Sequence, residues 1–497
     1  MNHKMVRYVL GILLFFEALF LLVPTFTALY FSEWRALKAS LLSAGLCLVA
    51  AIPMSFKKPK NTALYAKEGF VIVSLSWILL SAFGALPLVF SQTIPNYIDA
   101  FFEIVSGFTT TGSSVIPSVE DIPKAMLIWR SFSNWIGGMG VLVFVMAIMP
   151  LSGAQNMHIM RAESPGPEVS KLVPRVRRTA MILYLIYIGI TVTMFFLLLF
   201  DKSMNTFEAI NTSLATAGTG GFGFRNDSFF SISAYGQWIV TVFMLIFSIN
   251  FNSYYLILKK KFKDAFNSEV KVFLCIVLVA ITLMTIDVMR NDSLRSPSGE
   301  HIDASFGDTL RHASFTVGTI ISTCGFSTVD YNVWPALSYL IIFSLMIIGA
   351  CAGSTGGGFK ISRIIILFKS MIREFGNMIH PNRVKKITID KKPVSDEAVR
   401  SVLTYLATYV FIFFGSLVLL SIDQAIFNPG ENTFMTNLSA VTCTFNNIGP
   451  GFDFVGPTQN FMDFSPISKL ILSFDMLAGR LELFPMLILF TPSTWKK

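Results

Sequence analysis

The stretch AFFEIVSGFTTTGSS, residues 100–114, decides the fold because the chain contains three more stretches built like it. Each of the four places a glycine at the same offset from its first residue, and these glycines are Gly112, Gly221, Gly325 and Gly449. Since the stretches recur at similar intervals, we interpret the chain as a fourfold internal repeat. The other three read AINTSLATAGTGGFG from residue 209, ASFTVGTIISTCGFS from residue 313 and NLSAVTCTFNNIGPG from residue 437.

The composition places these repeats in a membrane protein. Hydrophobic residues make up 53% of the 497 residues and charged residues only 14%, whereas a soluble domain carries about 25% charged residues. A helix needs about 20 apolar residues to cross a bilayer core. We therefore predict an all-α polytopic membrane protein with spans near residues 8–30, 36–56, 69–91, 125–150, 179–200, 236–258, 270–289, 335–368, 399–421 and 466–490.

Basic residues gather in the loops on one side of these spans, and the loops of the other side are acidic and contain the repeated stretches. Because Lys and Arg accumulate in cytoplasmic loops, the basic side is predicted to be cytoplasmic, with both termini inside. The net charge of +9 then reports membrane orientation and a docking face for a regulatory partner, and no nucleic acid is expected to bind. The basic loop residues are Lys57, Lys58, Lys60, Lys67, Arg161, Lys171, Arg175, Arg177, Arg178, Lys259, Lys260, Lys261, Lys263, Lys271, Lys369, Arg373, Arg383, Lys385, Lys386, Lys391, Lys392 and Arg400.

The repeat also predicts how the chain is divided. Two N-terminal transmembrane helices occupy residues 1–60, and each later unit combines one span, one short stretch and one further span. We predict two N-terminal helices plus four helix, pore-loop and helix repeats around a pseudo-fourfold pore. The pore repeats lie at 61–160, 161–262, 263–376, where the second helix is interrupted, and 377–497.

The length of each repeated stretch points to a pore. About twelve residues of helix rise about 18 Å, so the chain turns back partway through the bilayer, where irregular backbone is tolerated only if it is buried or lines a water-filled cavity. Glycine adopts positive φ easily, and four bends around one axis would form a ring of carbonyl oxygens that replaces the hydration shell of a cation. A single stretch of this kind is more typical of a surface loop, but four in register favour the pore.

Seven motifs carry a resemblance to a known family. They are TTTG (109–112), TGGF (219–222), STCGF (322–326), NNIGPGF (446–452), WRSFSNWIGGMG (129–140), GACAGSTGGGFK (349–360) and GRLELFP (479–485). With them the chain resembles the Trk/Ktr/HKT superfamily of potassium transporters along almost its entire length. The two extra N-terminal helices make it most similar to the TrkH-type membrane subunits of the bacterial Trk branch.

This resemblance implies potassium uptake across the bacterial cytoplasmic membrane through a carbonyl-lined selectivity filter. No enzymatic activity is expected, because the five histidines lie near the termini or in loops and none pairs with Cys, Asp or Glu at metal-ligand spacing. It also implies a homodimer in the lipid bilayer that docks a cytoplasmic nucleotide- and NAD-binding regulatory subunit. Potassium is the bound and transported ion, and no organic cofactor is expected in this chain. In the family, glycine in all four units goes with potassium preference. The predicted filter residues are Thr110, Thr111, Gly112, Thr219, Gly220, Gly221, Thr323, Cys324, Gly325, Asn447, Ile448 and Gly449.

The eighth predicted span is interrupted by a glycine-rich segment that contains Gly353, Gly356, Gly357, Gly358 and Lys360. A phosphate-binding loop would need the lysine directly after the last glycine and a nucleotide-binding domain around it, but one residue intervenes. Close packing of helices through small residues is a second explanation. The resemblance implies a third, an irregular intramembrane loop that gates the pore beneath the filter.

Arg480 lies in the last predicted span, where a charged side chain is costly and needs a partner or water. Two explanations stay open. Arg480 forms a structural ion pair with Asp475 or Glu482, or its charge lies in the pore below the filter, repels cations and takes part in gating.

Two other functions are compatible with such a sequence. One is a secondary transporter of another solute, organic or anionic, built on broken helices, and the other is a sodium-permeable cation transporter. The common orientation of the four units favours a pore over the first of these. The sequence leaves open whether uptake is passive or coupled to proton symport.

Overall fold

The computed structural model describes residues 1–140, 176–381, 386–427 and 433–495. The second part of the predicted span 125–150, the predicted boundary between residues 160 and 161, and the basic residues Arg161, Lys171, Arg175, Arg383 and Lys385 lie outside these ranges. Within them the chain is mainly helical, and Thr388–Ile389 pairs with Lys392–Pro393 in a short antiparallel hairpin. The prediction of an all-α polytopic membrane protein is confirmed.

Within the described ranges, the helices long and apolar enough to cross a membrane fall short of the ten predicted spans. A further pair, Ala234–Phe247 and Phe251–Leu258, passes the same test but is bent by 90°. The difference arises because several predicted spans are broken. The long helices are His3–Tyr30, Trp34–Ser55, Ala66–Phe90, Ala180–Leu198, Ser268–Arg290 and Asp396–Phe427.

Each unit contains a first long helix, a short helix that coincides with the repeated stretch, and a second helix. The first helices are Ala66–Gly84, Val176–Leu198, Ser268–Arg290 and Asp396–Phe427. The short helices are Tyr97–Phe108, Thr206–Gly218, Phe306–Ile321 and Phe434–Phe445. The second helices are Lys124–Gly138, Ala234–Phe247, Ala336–Ile348 and Pro466–Arg480. The N-terminal helices His3–Phe20, Leu22–Tyr30 and Trp34–Ser55 pack beside the first unit.

The second helices correct two of the span predictions. Only the span at 335–368 was predicted to be interrupted, and it does break, between Ile348 and Ile361. The predicted spans 236–258 and 466–490 break as well. In the second unit the Asn250 side chain caps a new helix by accepting from Asn252 N at 2.8 Å. In the fourth, Glu482 and Leu483 adopt positive φ, which ends one helix before Phe484–Leu489 begins.

The start of each short helix is fixed by a side-chain cap. Asn96, Asn205, Ser305 and Thr433 each accept a hydrogen bond from a backbone N–H of the first turn. Such caps satisfy one of the N–H groups that a helix leaves unpaired at its start, and each stabilises a helix by about 1 kcal/mol. The first, second and fourth short helices begin at the same offset from the repeated glycine, the third begins about one turn earlier, and all four end toward the centre of the molecule.

The packing around the first short helix shows how the centre is supported. The Trp129 ring is buried and meets Phe108 edge to face, with ring centroids 6.1 Å apart. Its indole N–H donates to Gly84 O at 2.9 Å, so one side chain joins all three helices of the unit. Large apolar side chains such as Phe411, which is 84% exposed, cover the outside of the helices, as expected for a surface that faces lipid.

Candidate functional site

All four short helices end in the same hydrogen-bonding pattern. Thr110, Thr219, Thr323 and Asn447 adopt left-handed φ values between 55° and 60°. The next residue in each unit donates its N–H to the carbonyl five residues earlier, for example Thr111 N to Ser106 O at 2.8 Å. This is a Schellman ending, which usually has glycine in the left-handed position. Three threonines there are strained, because a β-branched residue rarely adopts this conformation.

The segments after these endings repeat a second conformational feature. Gly112, Gly221, Gly325 and Gly449 have φ values of +85°, +68°, +93° and +98°, and each lies two residues after the left-handed threonine or asparagine. The residue between the two has no positive φ in any unit. The predicted fourfold repeat is therefore present in the backbone, although the four sequences differ.

The four glycines pack against one another's units in a closed ring. A Cβ atom on Gly112 would lie 2.2 Å from Gly220 O, and one on Gly221 would lie 1.9 Å from Cys324 O. The same relation continues from Gly325 to Ile448 O at 2.3 Å and from Gly449 back to Thr111 O at 2.7 Å. A side chain at any of these positions would collide with a backbone carbonyl. We call these four segments, 110–112, 219–221, 323–325 and 447–449, the central ring.

Hydrogen bonds of side chains support the central ring. The Asn447 amide donates to Thr111 Oγ1 at 3.0 Å and to Met476 O at 2.9 Å. Thr111 Oγ1 also lies 2.8 Å from Thr109 Oγ1. Thr110 Oγ1 is buried and has no hydrogen-bond partner among the described residues.

On one side, the ring glycines line a cavity of about 130 Å³. All four glycines contribute to it, together with Arg130, Arg225 and several residues that follow the ring. The cavity is bordered by the loops that were predicted to lie outside the membrane. We call it the outer cavity.

On the other side, the glycine-rich segment 349–360 lies directly against the ring. Gly357 N donates to Thr323 Oγ1 at 2.6 Å, and a Cβ atom on Gly357 would lie 2.4 Å from Asn446 O. The buried ammonium of Lys360 donates to Gly356 O. Glu269 holds the segment from outside by accepting from Ala352 N at 2.8 Å. The segment is therefore an ordered loop that packs against the ring.

Arg480 connects this segment to the first unit. Its guanidinium donates to Thr355 O at 2.7 Å, to Gly138 O at 2.8 Å and to Gly137 O. The two acidic residues that were considered as partners of Arg480 form other contacts. Glu482 pairs with Arg363, and Asp475 Oδ1 accepts from Ser416 Oγ at 2.6 Å. Arg480 thus acts as a bridge between backbone carbonyls.

The predicted gate residues converge on a second cavity of about 130 Å³, which we call the inner cavity. It lies on the side of the ring opposite the outer cavity, and Trp77 and Glu482 also contribute to its wall. The structure therefore brings together all the residues predicted for the filter and for the gate. The gate residues in the lining are Gly353, Gly356, Gly357, Gly358, Lys360 and Arg480.

Glycines of the second helices allow the close approach of these elements. A Cβ atom on Gly137 would lie 1.9 Å from Phe108 O, and one on Gly479 would lie 2.1 Å from Phe445 O. Phe108 and Phe445 are the last residues of their short helices. This packing gives a physical reason for the glycines in two of the seven motifs, WRSFSNWIGGMG and GRLELFP.

Three buried charged groups near the ring were not predicted as site residues. Arg130 and Glu103 form an ion pair of 2.7 Å in the first unit, and Glu269 supports the glycine-rich segment. Arg130 lies inside a quoted motif and Glu103 inside the opening stretch, so a charge within an apolar segment was the signal that could have revealed them.

Comparison with known proteins agrees with this architecture. Residues 41–497 match the family model of TrkH, described as a cation transport protein. Over the full length of both chains, the protein is 32% identical to the Trk system potassium uptake protein TrkH of Escherichia coli strain K12. It is 30% identical to TrkG of the same strain, with 99% of each chain covered. The crystal structure of the potassium transporter TrkH from Vibrio parahaemolyticus superimposes with a TM-score of 0.86 at 28% identity, covering both chains completely.

The closed ring predicts that Gly221→Ala destabilises the protein. The new Cβ atom would collide with Cys324 O, and the left-handed conformation adds to the strain, so we expect a loss of about 3 kcal/mol. The unfolding temperature of the detergent-solubilised protein measures this loss. Gly189→Ala is the matched control, because Gly189 lies within a helix with open space around it. Equal unfolding temperatures for the two variants would contradict the ring geometry.

Proposed function

The chain belongs to the TrkH family of cation transport proteins, and we propose that it takes up potassium ions across the membrane through the central ring. The observation that carries this proposal is the closed sequence of contacts in which each ring glycine abuts a carbonyl of the next unit. In this arrangement carbonyl oxygens from four units surround one axis, and such oxygens replace the water around a dehydrated cation.

The short helices determine whether the ring favours a cation or an anion. All four end at the central ring, and the C-terminal end of a helix carries a partial negative charge. Four such ends around one axis favour a cation over an anion, which argues against the alternative of an anionic solute. Potassium is proposed as the cation because glycine occupies all four ring positions and because the similar proteins are named as potassium uptake proteins.

The glycine-rich segment is proposed to be the gate. It lies between the central ring and the inner cavity, and Thr323, a residue of the ring, accepts a hydrogen bond from its backbone. Arg480 donates a hydrogen bond to Thr355 O of the segment and adds a positive charge beside the inner cavity. Movement of the segment away from the axis would break these bonds and open a path for the ion.

The wider assembly is part of the proposal. We divide the chain as predicted, with two N-terminal helices (1–60) and four pore repeats (61–160, 161–262, 263–376 and 377–497). The basic loops then face the cytoplasm of a bacterial cell and form the docking face for a nucleotide- and NAD-binding regulatory subunit. A second copy of the chain completes a homodimer. The names of the similar proteins, which describe parts of a Trk system, support a function that involves other subunits.

Rubidium uptake into liposomes containing the purified protein tests the function. We expect uptake that potassium inhibits strongly and sodium weakly, because the ring is proposed to bind dehydrated potassium-sized cations. Measurements with and without a proton gradient distinguish symport from passive uptake. Uptake that is equal to that of empty liposomes would contradict the proposal, and equal inhibition by sodium would favour a sodium-permeable transporter.

Gly112→Ser is expected to admit sodium. The new Cβ atom would lie 2.2 Å from Gly220 O and displace that carbonyl from the ring. We expect the preference for potassium over sodium to fall about tenfold, which corresponds to about 1.4 kcal/mol. Gly223→Ser is the control, because a Cβ atom there has its nearest contact 3.6 Å away, at Arg225 O. Unchanged selectivity in a folded Gly112→Ser protein would rule out the ring as the filter.

Arg480→Gln is expected to raise uptake. A unit charge about 10 Å from the ion, at an effective dielectric constant of about 20, repels a cation by about 1.7 kcal/mol, so the gain should be on the order of tenfold. Arg480→Lys keeps the charge and should stay closer to the wild-type rate. If Arg480→Gln lowers only the unfolding temperature, the side chain has a structural role and the gating proposal for it fails.

A further inference from the structure

The first unit contains an ion pair that is almost completely buried beside the central ring. Arg130 Nε donates to Glu103 Oε1 at 2.7 Å, and the side chains are 1% and 0% exposed. Glu103 lies on the short helix Tyr97–Phe108, and Arg130 lies on the second helix Lys124–Gly138. At the same offset from the ring glycine, the other units have Thr212, Thr316 and Ala440, so this carboxylate is particular to the first unit.

Both members of the pair hold the chain that leaves the ring. Glu103 Oε2 accepts from Val115 N at 2.9 Å, and Glu103 Oε1 accepts from Ser114 Oγ at 3.0 Å. Arg130 donates a further hydrogen bond to Ser114 Oγ at 3.2 Å. Hydrogen bonds to charged groups are roughly twice as strong as those between neutral groups. The segment after Gly112 is therefore fixed by three charge-assisted hydrogen bonds, two to Glu103 and one to Arg130.

The neighbouring units are connected to this segment. Ser113, between Gly112 and Ser114, donates its hydroxyl to Gly449 O at 3.0 Å, so it holds a ring carbonyl of the fourth unit. On the other side, the Arg130 guanidinium lies 4.1 Å from the centroid of Phe222, the residue that follows Gly221. The ion pair thus contacts the chain that follows the ring in the first and second units, and Ser113, next to Ser114, connects this chain to the ring segment of the fourth unit.

The charge of Arg130 has a second consequence. Arg130 lines the outer cavity, where an unpaired positive charge would repel the cations that enter. Glu103 neutralises this charge at 2.7 Å. The pair therefore combines rigid hydrogen bonding by a guanidinium with a balanced charge at this part of the cavity wall.

We propose that Glu103 and Arg130 are positioning residues that determine the cation selectivity of the ring and the access of cations to it. The inference deepens the proposed function and rests on it. Through Ser113, the pair fixes the Gly449 carbonyl, and through its charge balance it keeps the outer cavity favourable for cations. Neither residue needs to touch the ion.

Two substitutions test the geometric part. Ser113→Ala removes only the hydroxyl that bonds Gly449 O, and we expect selectivity for rubidium over sodium to fall about fivefold, the equivalent of one hydrogen bond of about 1 kcal/mol. Arg130→Lys keeps the charge, but a single ammonium does not reproduce the fork that bonds Glu103 and Ser114 together, and selectivity should fall similarly. Ser118→Ala is the matched control, because that hydroxyl accepts only at the surface, from Asn226 Nδ2 at 3.2 Å.

A third substitution tests the charge balance. Glu103→Gln leaves Arg130 uncompensated, so the KM for rubidium should rise about tenfold, equivalent to about 1.4 kcal/mol. Rubidium uptake into liposomes, with and without competing sodium, measures the selectivity and the KM. Each variant is reconstituted only if the purified protein is monodisperse. Folded Ser113→Ala and Arg130→Lys proteins with wild-type selectivity would overturn the inference, even if their unfolding temperatures fall. Wild-type protein that does not distinguish rubidium from sodium would instead contradict the proposed function itself.

Discussion

The contact between each ring glycine and a carbonyl of the next unit is the constraint on which the rest of the structure depends. Because a Cβ atom at Gly112 or Gly221 would overlap a backbone oxygen, the four units approach one axis closely only if all four positions are glycine. The short helices must then end at the same level, and their caps and Schellman endings fix both ends. The second helices of the second and fourth units break where the segment 349–360 packs against them, since Ser248 O accepts from Cys351 N and Arg480 donates to Thr355 O.

The ring conformation is strained, and buried polar contacts hold it in place. Thr110, Thr219 and Thr323 have left-handed backbones, and strain of this kind is typically about 1–3 kcal/mol for each residue. Asn447, Ser113 and the Glu103 and Arg130 pair bond the surrounding chain. A backbone stabilised in this way keeps its oxygens at fixed positions, which is what discrimination between two similar cations requires. For the same reason, the buried pair of Glu103 and Arg130 contributes to selectivity without touching the ion.

Much of this architecture could be predicted from the sequence. The offset of Gly112, Gly221, Gly325 and Gly449 within four similar stretches was sufficient to predict the fourfold repeat, and the glycines of segment 349–360 were sufficient to predict a break. The breaks after Phe247 and after Arg480 were not predicted, because apolar residues on both sides resemble a continuous span. Contacts between units, such as Ser113 with Gly449 O, join residues far apart in sequence and leave no local pattern. The roles of the ring residues as ion ligands stay a proposal.

The most direct test of the central claim is the position of the ion. Crystals grown in rubidium chloride allow rubidium to be located by its anomalous scattering. The account predicts peaks on the axis of the central ring, coordinated by carbonyl oxygens of the segments 110–112, 219–221, 323–325 and 447–449, and their loss when sodium replaces rubidium. Rubidium peaks located only outside the ring, with its axis empty, would contradict the account.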